Sequence, residues 1–590
     1  MRITKLSLTN FRSFSTKQTI EFAPLTLLFG PNSVGKSSVL MALFYLHHII
    51  GKGKCNPVRL EALDNKYIGG FKNLVHGRQL DESIIIRVEF DKQGQVGSGY
   101  GFLSDLIEGV ELGISSPSVA AESMALEFEI SWSKAADAAY ISRYTVSFDG
   151  QDLAEVTSDA GLKQPVISAL NYLHPLLLPE NHDHWLLECF DFKTPIHEDL
   201  FDTLCELKGI HVPSHREITQ GADRPFENDE YALEISSTAY TSEFHELINE
   251  GRITTTDVIA GVNYICFAGH ELTHVPIGIK GFAGALVEQG KKLNAAFTID
   301  NGTLNELVIE LFSDLLVAPL DNLKRILDDS LCIGPIREIP DALRQPNSDI
   351  QRKDWYNGIA AWDVLANNDF NVLKAVNSWI SDESKLGLGI ELVMEAHINY
   401  SVREKINSGM RFQDVHQRLV NEGSKVANND FANFDNIEWK WSNNLWDTKR
   451  QITVSAADLG VGVSQLMPVI VAALSRSKGI VAVEQPELHI HPKLQVAIGD
   501  VLTQLKSAPS FLIETHSEHL ILRLLRRIRE SNEGTLPNDL QQIQPNDISV
   551  IFLSNETDGV SARRICITDD GDFSEEWPGG FFDERDEELF

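Results

Sequence analysis

A strand, a glycine loop and a helix in immediate succession near the N-terminus constrain this chain more than any other feature. Leu25-Thr26-Leu27-Leu28-Phe29 reads as a buried strand. Gly30-Pro31-Asn32-Ser33-Val34-Gly35-Lys36-Ser37 follows and matches G-x-x-x-x-G-K-[ST] at every fixed position. A helical apolar pattern then runs from Ser38 to Ile49. Gly30 and Gly35 let backbone N–H groups turn inward around a phosphate, where a Cβ would obstruct. The helix N-terminus adds the positive end of its dipole. Lys36 is expected to reach the β- and γ-phosphates of ATP, and the Ser37 hydroxyl to ligate Mg2+. The expected nucleotide-binding set is Gly30, Pro31, Asn32, Ser33, Val34, Gly35, Lys36, Ser37 and Ser38.

A second group of signals lies far along the chain. Ile480-Val481-Ala482-Val483 is an apolar strand ending in Glu484-Gln485-Pro486-Glu487. An acid at the C-terminal edge of such a strand is the pattern of a Walker B element, and Glu484 is the expected partner of Ser37 at the metal. Just before it, Asp458-Leu459-Gly460-Val461-Gly462-Val463-Ser464-Gln465 opens an apolar helix and makes a second anion-binding helix start. Just after it, Ser510-Phe511-Leu512-Ile513-Glu514 reads as another buried strand, followed by Thr515-His516-Ser517. A histidine at that edge can sense a γ-phosphate.

This order of Walker A, Gly-x-Ser-Gln signature, Walker B and strand-end histidine resembles the ABC-type ATPases. The Asn10-Phe11-Arg12-Ser13-Phe14 opening and Leu488-His489-Ile490-His491-Pro492 look like the SMC/RecF/OLD (AAA) group. Gly334-Pro335-Ile336-Arg337 and the C-terminal Trp577-Pro578-Gly579-Gly580-Phe581-Phe582-Asp583-Glu584 resemble a bacterial subfamily with a terminal domain of unknown function. That subfamily includes anti-phage ATPases of Septu and retron-linked systems. The resemblance implies an α/β fold: an ABC/RecF-like P-loop ATPase head with a flanking antiparallel sheet, a large mixed or helical insertion and a small C-terminal cap. It implies a composite site, in which Gly462, Ser464 and Gln465 of one subunit close on the γ-phosphate held by another, so that ATP joins a homodimer or higher oligomer. Arg12 joins the expected nucleotide-binding residues on the same ground. The expected layout is 1–100 for the N-terminal lobe, 101–435 for the insertion, 436–535 for the C-terminal lobe and 536–590 for the cap with its acidic tail.

One departure bears on chemistry. The resemblance implies Asp-Glu at the Walker B end, where this chain has Glu484-Gln485. Glutamate keeps a carboxylate for the metal. An amide can position a water but cannot accept its proton. Losing a general base costs about 10²–10⁴-fold in rate, so slow hydrolysis is expected, with His516 and Glu487 as candidates to compensate.

Between the lobes, Ile84, Ile86, Val88 and Phe90, then Leu126, Phe128, Ile130 and Trp132, then Tyr144, Val146 and Phe148, alternate as antiparallel strands do. Leu304, Leu307, Val308, Leu311 and Leu315 share one helix face. No heptad persists, which excludes a long SMC-like coiled coil. His182-Asp183-His184 with Glu188 could be a metal site or a polar loop. His489 and His491 read as loop residues rather than ligands. Asp570-Gly571-Asp572 has the spacing of a Toprim nuclease pair, but a surface turn is the simpler reading. Arg523, Arg526, Arg527 and Arg529 form either a basic edge for nucleic acid or an acidic partner, or a solvated helix face. Arg337 either approaches the nucleotide or a neighbouring subunit, or makes a structural ion pair.

Lys and Arg number 51 against 84 Asp and Glu, a formal charge of −33. That balance repels phosphate backbones and counts against a DNA-clamp ATPase like RecF, although a local basic groove stays open. The large insertion and the missing Leu-Ser-Gly-Gly-Gln string count against a transporter subunit. No apolar run reaches the ~18 residues of a membrane span. The six cysteines include no Cys-x-x-Cys pair, so a cytoplasmic protein is expected. The favoured function is an ATP-dependent switch subunit working with a separate HNH-type nuclease effector. A RecF/SMC-like repair ATPase and an ATP-gated scaffold with negligible hydrolysis are the alternatives.

Overall fold

The computed structural model describes residues 1–100, 116–159, 165–171, 174–177, 275–276, 283–293, 302–340, 344, 346–367, 370–398, 437–458, 460–505, 509–557 and 559–578. The elements in chain order begin with β1 (Arg2–Thr9), β2 (Gln18–Glu21), β3 (Leu25–Phe29), α1 (Lys36–Lys52), β4 (Arg59–Leu60) and β5 (Lys66–Tyr67). Next come β6 (Ile84–Asp91), α2 (Pro117–Ala120), β7 (Ser123–Ser133), β8 (Ala138–Phe148), β9 (Gln151–Thr157), β10 (Val166–Leu170) and β11 (Val275–Pro276). They are followed by α3 (Gly302–Leu316), α4 (Ala318–Asp328), β12 (Leu331–Ile333), α5 (Ile359–Asn367), α6 (Phe370–Ile380), β13 (Ile390–Ile398), β14 (Ile437–Asp447) and β15 (Ile452–Ser455). The last are α7 (Val461–Ser475), β16 (Ile480–Glu484), α8 (Pro492–Leu502), β17 (Ser510–Glu514), α9 (Glu518–Glu533), β18 (Ile548–Glu556) and β19 (Gly559–Ile565).

The chain divides into two compact units. One comprises residues 1–48, 57–79 and 325–590; the other comprises 49–56 and 80–324. The first is built on a six-stranded sheet of order β12-β16-β17-β3-β18-β19. Its first five strands are parallel, and β19 returns antiparallel beside β18. β3 and β16 are buried at every position. That is why they read as unbroken apolar runs: a parallel strand covered on both faces has no solvent side on which to alternate. Leu25 of β3 stands opposite Phe511 on one side and Ile548 on the other. α8 connects β16 to β17, and α9 connects β17 to β18, the long crossovers that parallel neighbours require. Trp355 and Trp362, both 1% exposed, lie in the same core cluster. A smaller antiparallel sheet, β13-β14-β15, belongs to this unit.

The second unit holds an antiparallel run of order β11-β10-β9-β8-β7-β6. β6 alternates buried and half-buried along its whole length, as its sequence predicts. α3 is tied down by Asp314, which is buried. Its carboxylate accepts from Ser116 Oγ at 2.7 Å, Ser118 N at 2.9 Å and Ser118 Oγ at 2.6 Å.

This division differs from the layout expected from sequence. Residues 325–398 group with the P-loop strand rather than with the insertion, because β12 pairs with β16 in the central sheet. Residues 80–100 group with the other unit. Within the C-terminal segment, β18 is hydrogen-bonded directly to β3. Trp577 packs against Phe29, the last residue of β3, and Phe552 of β18, with ring centroids 5.1 and 5.9 Å apart. No helix among the described residues is long and apolar enough to cross a membrane.

Candidate active site

The glycine loop leaves β3 at Gly30 and enters α1 at Lys36, as its sequence requires. Gly30 has φ +137° and Gly35 φ +115°, values that side chains rarely adopt. A Cβ on Gly30 would sit 2.2 Å from the Leu553 carbonyl of β18, and one on Gly35 would sit 2.8 Å from Ser13 Oγ. The glycines therefore serve two ends: they turn the loop, and they let the C-terminal strand and the Asn10–Phe14 turn close around it. Pro31, Asn32 and Ser33 are exposed at the tip, with Ser33 at φ +64°, while Val34 and Ser38 are buried beneath.

The Lys36 side chain is buried and donates from Nζ to the carbonyls of Gly30 and Pro31, each at 2.9 Å. Burial pulls its pKa down, and the nearby carboxylates of Glu514 and Glu487 push back. The ammonium thus spans the mouth of the loop on neutral carbonyls, which leaves its charge available to an anion.

The Ser37 hydroxyl donates to Glu514 Oε2 at 2.7 Å. Glu514 ends β17, the strand beside β3, whereas Glu484 ends β16, one strand further away. The two glutamates are register partners across β16 and β17, and each is 7% exposed. Burial raises the Glu484 pKa, and the charge of Glu514 adds to the rise; Lys66 opposes it. The Tyr356 hydroxyl lies 3.5 Å from Glu484 Oε1, at the outer limit of a hydrogen bond.

Gln485 sits at φ +47°, and its backbone N–H donates to the Glu514 carbonyl at 2.8 Å. The chain therefore turns sharply after β16, and Glu487 does not continue the strand. Glu487 is instead committed to the next loop: Oε1 accepts from His516 N at 2.7 Å and Oε2 from Thr515 Oγ1 at 2.8 Å. Burial raises its pKa, and these hydrogen bonds pull it back. His516 lies between the end of β17 and Ser517, whose hydroxyl caps α9 by accepting from Leu520 N at 3.1 Å. Its Nε2 is a buried atom with no hydrogen-bond partner. Burial lowers the imidazole pKa, and the Lys36 charge lowers it further.

The signature helix α7 behaves differently from the outward face expected of it. Ser464 and Gln465 are buried inside their own unit, because α7 is enclosed almost all round from Ser464 to Ala473. The exposed part is its start, at Gly460 and Val461, with Gly462 half-buried. A Cβ on Gly462 would meet the His489 carbonyl at 2.8 Å, so the glycine admits the loop that follows β16. Gln465 is held by Arg337, which is 2% exposed. Arg337 donates from Nη1 to the Gln465 carbonyl at 3.1 Å and from Nη2 to the Glu484 carbonyl at 2.9 Å. Burial drops its pKa to about 10, against the pull of Glu487, Cys332 and Glu484. Arg337 thus clasps main-chain carbonyls of α7 and β16 rather than forming a carboxylate pair. Arg12 does not reach the loop backbone in this structure: its guanidinium lies on Met41 of α1, Nη1 to Sδ 3.1 Å.

Two comparisons match this architecture. A model described as an AAA ATPase domain matches residues 1–163, and an AAA domain model whose description also names the AbiEii toxin and type IV TA systems matches residues 274–523. Two stretches of the chain are thus similar to AAA-type ATPase domains. A third model, for a protein of unknown function (DUF3696), matches residues 543–590 of this chain. No curated protein matches it. Among solved structures, an Smc head bound to the C-winged helix domain of ScpA is 7% identical, with 96% of this chain and 98% of that chain covered at a TM-score of 0.35. The SMC head domain from Thermotoga maritima is 8% identical, with 96% and 100% covered at 0.32. An Smc head with an extended coiled coil from Pyrococcus furiosus is 10% identical, with 96% of both chains covered at 0.33. At such scores these likenesses add nothing to what the strand order shows.

The residues around the glycine loop fit a nucleotide and a divalent cation. The two glycines form a loop that a Cβ would fill, a buried lysine lines it, and at its helix-side edge a hydroxyl meets the buried Glu514 carboxylate, whose register partner is the buried Glu484. Among the described residues no three His, Cys, Asp or Glu side chains cluster as ligands. Such a full cage suits a protein-held metal, whereas Mg2+ takes one or two carboxylates plus phosphates and water. When bound, Mg2+ supplies charge neutralisation at the phosphates.

Most of the other candidates make internal contacts. Arg523 and Arg527 both reach buried Asp500, at 2.8 and 2.7 Å, and Arg526 and Arg527 pair with Glu530. Arg529 donates to the carbonyls of Asp570 and Gly571. The basic run is thereby spent within its own unit. Asp570-Gly571-Asp572 is a turn closed by Thr568, with Gly571 at φ +66°. His491 caps α8, its Nδ1 accepting from Lys493 N, and His489 is exposed. His182, Asp183, His184 and Glu188 lie outside the described residues.

Proposed function

We propose that this ATPase is an ATP-dependent oligomeric switch with slow turnover, acting as the regulatory subunit of a prokaryotic anti-phage complex whose nuclease is a separate chain of HNH type. The observation that carries the reading is the state of the Walker B edge. Gln485 cannot accept a proton, and Glu487, the nearest substitute in sequence, has both carboxylate oxygens engaged by Thr515 and His516. A site able to grip a triphosphate but poor at activating water favours a long-lived bound state.

Lys36 and the loop backbone hold the phosphates, Ser37 and the two glutamates serve Mg2+, and His516 stands beside Lys36 to register the terminal phosphate. Across a homodimer or larger oligomer, the part of the signature helix free to meet a neighbour's nucleotide is its N-terminal backbone from Gly460 to Gly462, whose N–H groups suit an anion. The anti-phage role draws support from the C-terminal resemblance and from the toxin named in one matching family description. A nucleic-acid-tracking role is less favoured, since the arginines of α9 are paired internally. The setting is the cytoplasm.

The deciding experiment measures mass by light scattering and phosphate release together, with and without ATP and Mg2+. The reading predicts a nucleotide-dependent rise in mass with little turnover. A fast enzyme whose mass ignores nucleotide would refute it.

A further inference from the structure

We propose that Glu514 is the positioning carboxylate of the cation site, acting through Ser37, and that Glu484 plays the lesser part there. The inference rests on the ATP-binding reading of the loop and extends it to a residue that the motif pattern does not single out.

The argument begins with the hydroxyl. A serine oxygen has one proton and two lone pairs. For Ser37 to serve a cation, its proton must point away from the loop so that a lone pair points in. The Ser37 O–H is already directed at Glu514 Oε2 over 2.7 Å, so this bond fixes the rotor in the orientation a cation needs. A ligand whose proton is taken by an outer carboxylate is also a more basic ligand.

Strand order explains why Glu514 does this. β17 lies between β3 and β16, so the acid at its end is one strand spacing from the strand that launches the loop, while Glu484 is two away. Glu484 has other neighbours: Tyr356 approaches its carboxylate, and Arg337 holds its main-chain carbonyl. The two carboxylates also stand side by side in register, each buried. Two such neighbours repel unless a positive charge joins them, and Lys36 Nζ donates to the carbonyls of Gly30 and Pro31 rather than to either carboxylate. A divalent cation at Ser37 supplies that charge.

The test is equilibrium binding of a fluorescent ATP analogue to the full chain, in EDTA and in Mg2+. Loss of an outer-shell partner costs about 10–100-fold in metal affinity. Glu514→Gln, which keeps the shape and removes the charge, is expected to leave binding in EDTA intact and to lower the Mg2+-dependent gain in affinity by about tenfold or more. Glu484→Gln is expected to lower that gain less than Glu514→Gln does. Glu514→Asp, which restores the charge on a shorter arm, is expected to recover part of it and guards against a Gln variant that does not fold. Full Mg2+ dependence in both Glu514 variants, or its loss in Glu484→Gln alone, would overturn the proposal. If the native chain binds no nucleotide in either buffer, and Lys36→Ala changes nothing, the ATP reading itself falls and the proposal with it.

Discussion

The main chain of Arg337 and the side-chain amide of Gln465 are paired in both directions. The Arg337 N–H donates to Gln465 Oε1 at 3.2 Å, and Gln465 Nε2 donates to the Arg337 carbonyl at 2.6 Å. The guanidinium of the same arginine then bonds the carbonyls of Gln465 and Glu484. One residue thereby fastens the signature helix to the Walker B strand. Removing either partner leaves buried polar groups unsatisfied, at about 1–3 kcal/mol each. Gln465→Leu frees two such groups and is expected to lower the unfolding free energy by about 2 kcal/mol or more, read as a lower denaturant midpoint. An unchanged midpoint would show that the pairing contributes nothing to the fold.

Gln485→Glu places a proton acceptor at the end of β16. The gain expected is about 10²-fold in turnover, the lower end of what a general base supplies. Steady-state phosphate release decides it. No gain would mean that the position is not beside the attacked bond, or that another group already serves.

Asp500 is 3% exposed and accepts from both Arg523 and Arg527. Asp500→Ala removes the carboxylate that two guanidinium groups share and leaves the buried Arg527 with Glu530 alone. Breaking a buried pair from one side costs about 3–5 kcal/mol, so α8 and α9 should separate early in denaturant. Chemical denaturation read by circular dichroism measures the loss. A loss below about 1 kcal/mol would mean that water or Glu530 replaces the carboxylate.

His516 is held below its ordinary value of 6.5 by burial and by Lys36. As pH falls through about 6.5, the unfolded chain takes up a proton that the folded imidazole resists. The unfolded state then binds more protons, so this group's contribution to stability is complete above its unfolded pKa and is lost as pH falls toward its folded one. Glu484 and Glu487, raised by burial, act in the opposite sense. The native chain must therefore be compared with His516→Gln. The native melting temperature is expected to fall further than that of the variant between pH 7 and pH 5.5 or so. Parallel curves would mean that the ring is freely solvated.

The glycine loop and the three strand–loop units around it were legible because each is local: an apolar run, a turn residue and a helix start lie within a few positions. The partners were not, because they depend on which strand lies beside which. Val483-Glu484 and Ile513-Glu514 look alike in sequence, and only the order of β16, β17 and β3 tells which acid meets Ser37. The signal that could have marked Glu514 was an acid closing an all-apolar strand, the same signal that marked Glu484. Ser464 and Gln465 read as outward from a motif resemblance, yet their helix is apolar on every side beyond them and so lies inside. The arginines of α9 read as a patch because their acids, Asp500 and Glu530, lie on another helix or one turn further on.

β3 is completed on one side by residues 510–514 and on the other by residues 548–556. During synthesis the glycine loop therefore leaves the ribosome long before either flanking strand exists. Its ends must wait, unpaired, for most of the chain to be made. Contacts of such wide sequence separation form slowly and expose unpaired strand edges meanwhile. A nascent or truncated chain lacking β17 and β18 has neither strand that flanks β3, and it lacks the Glu514 carboxylate and the Leu553 carbonyl that close on the glycine loop.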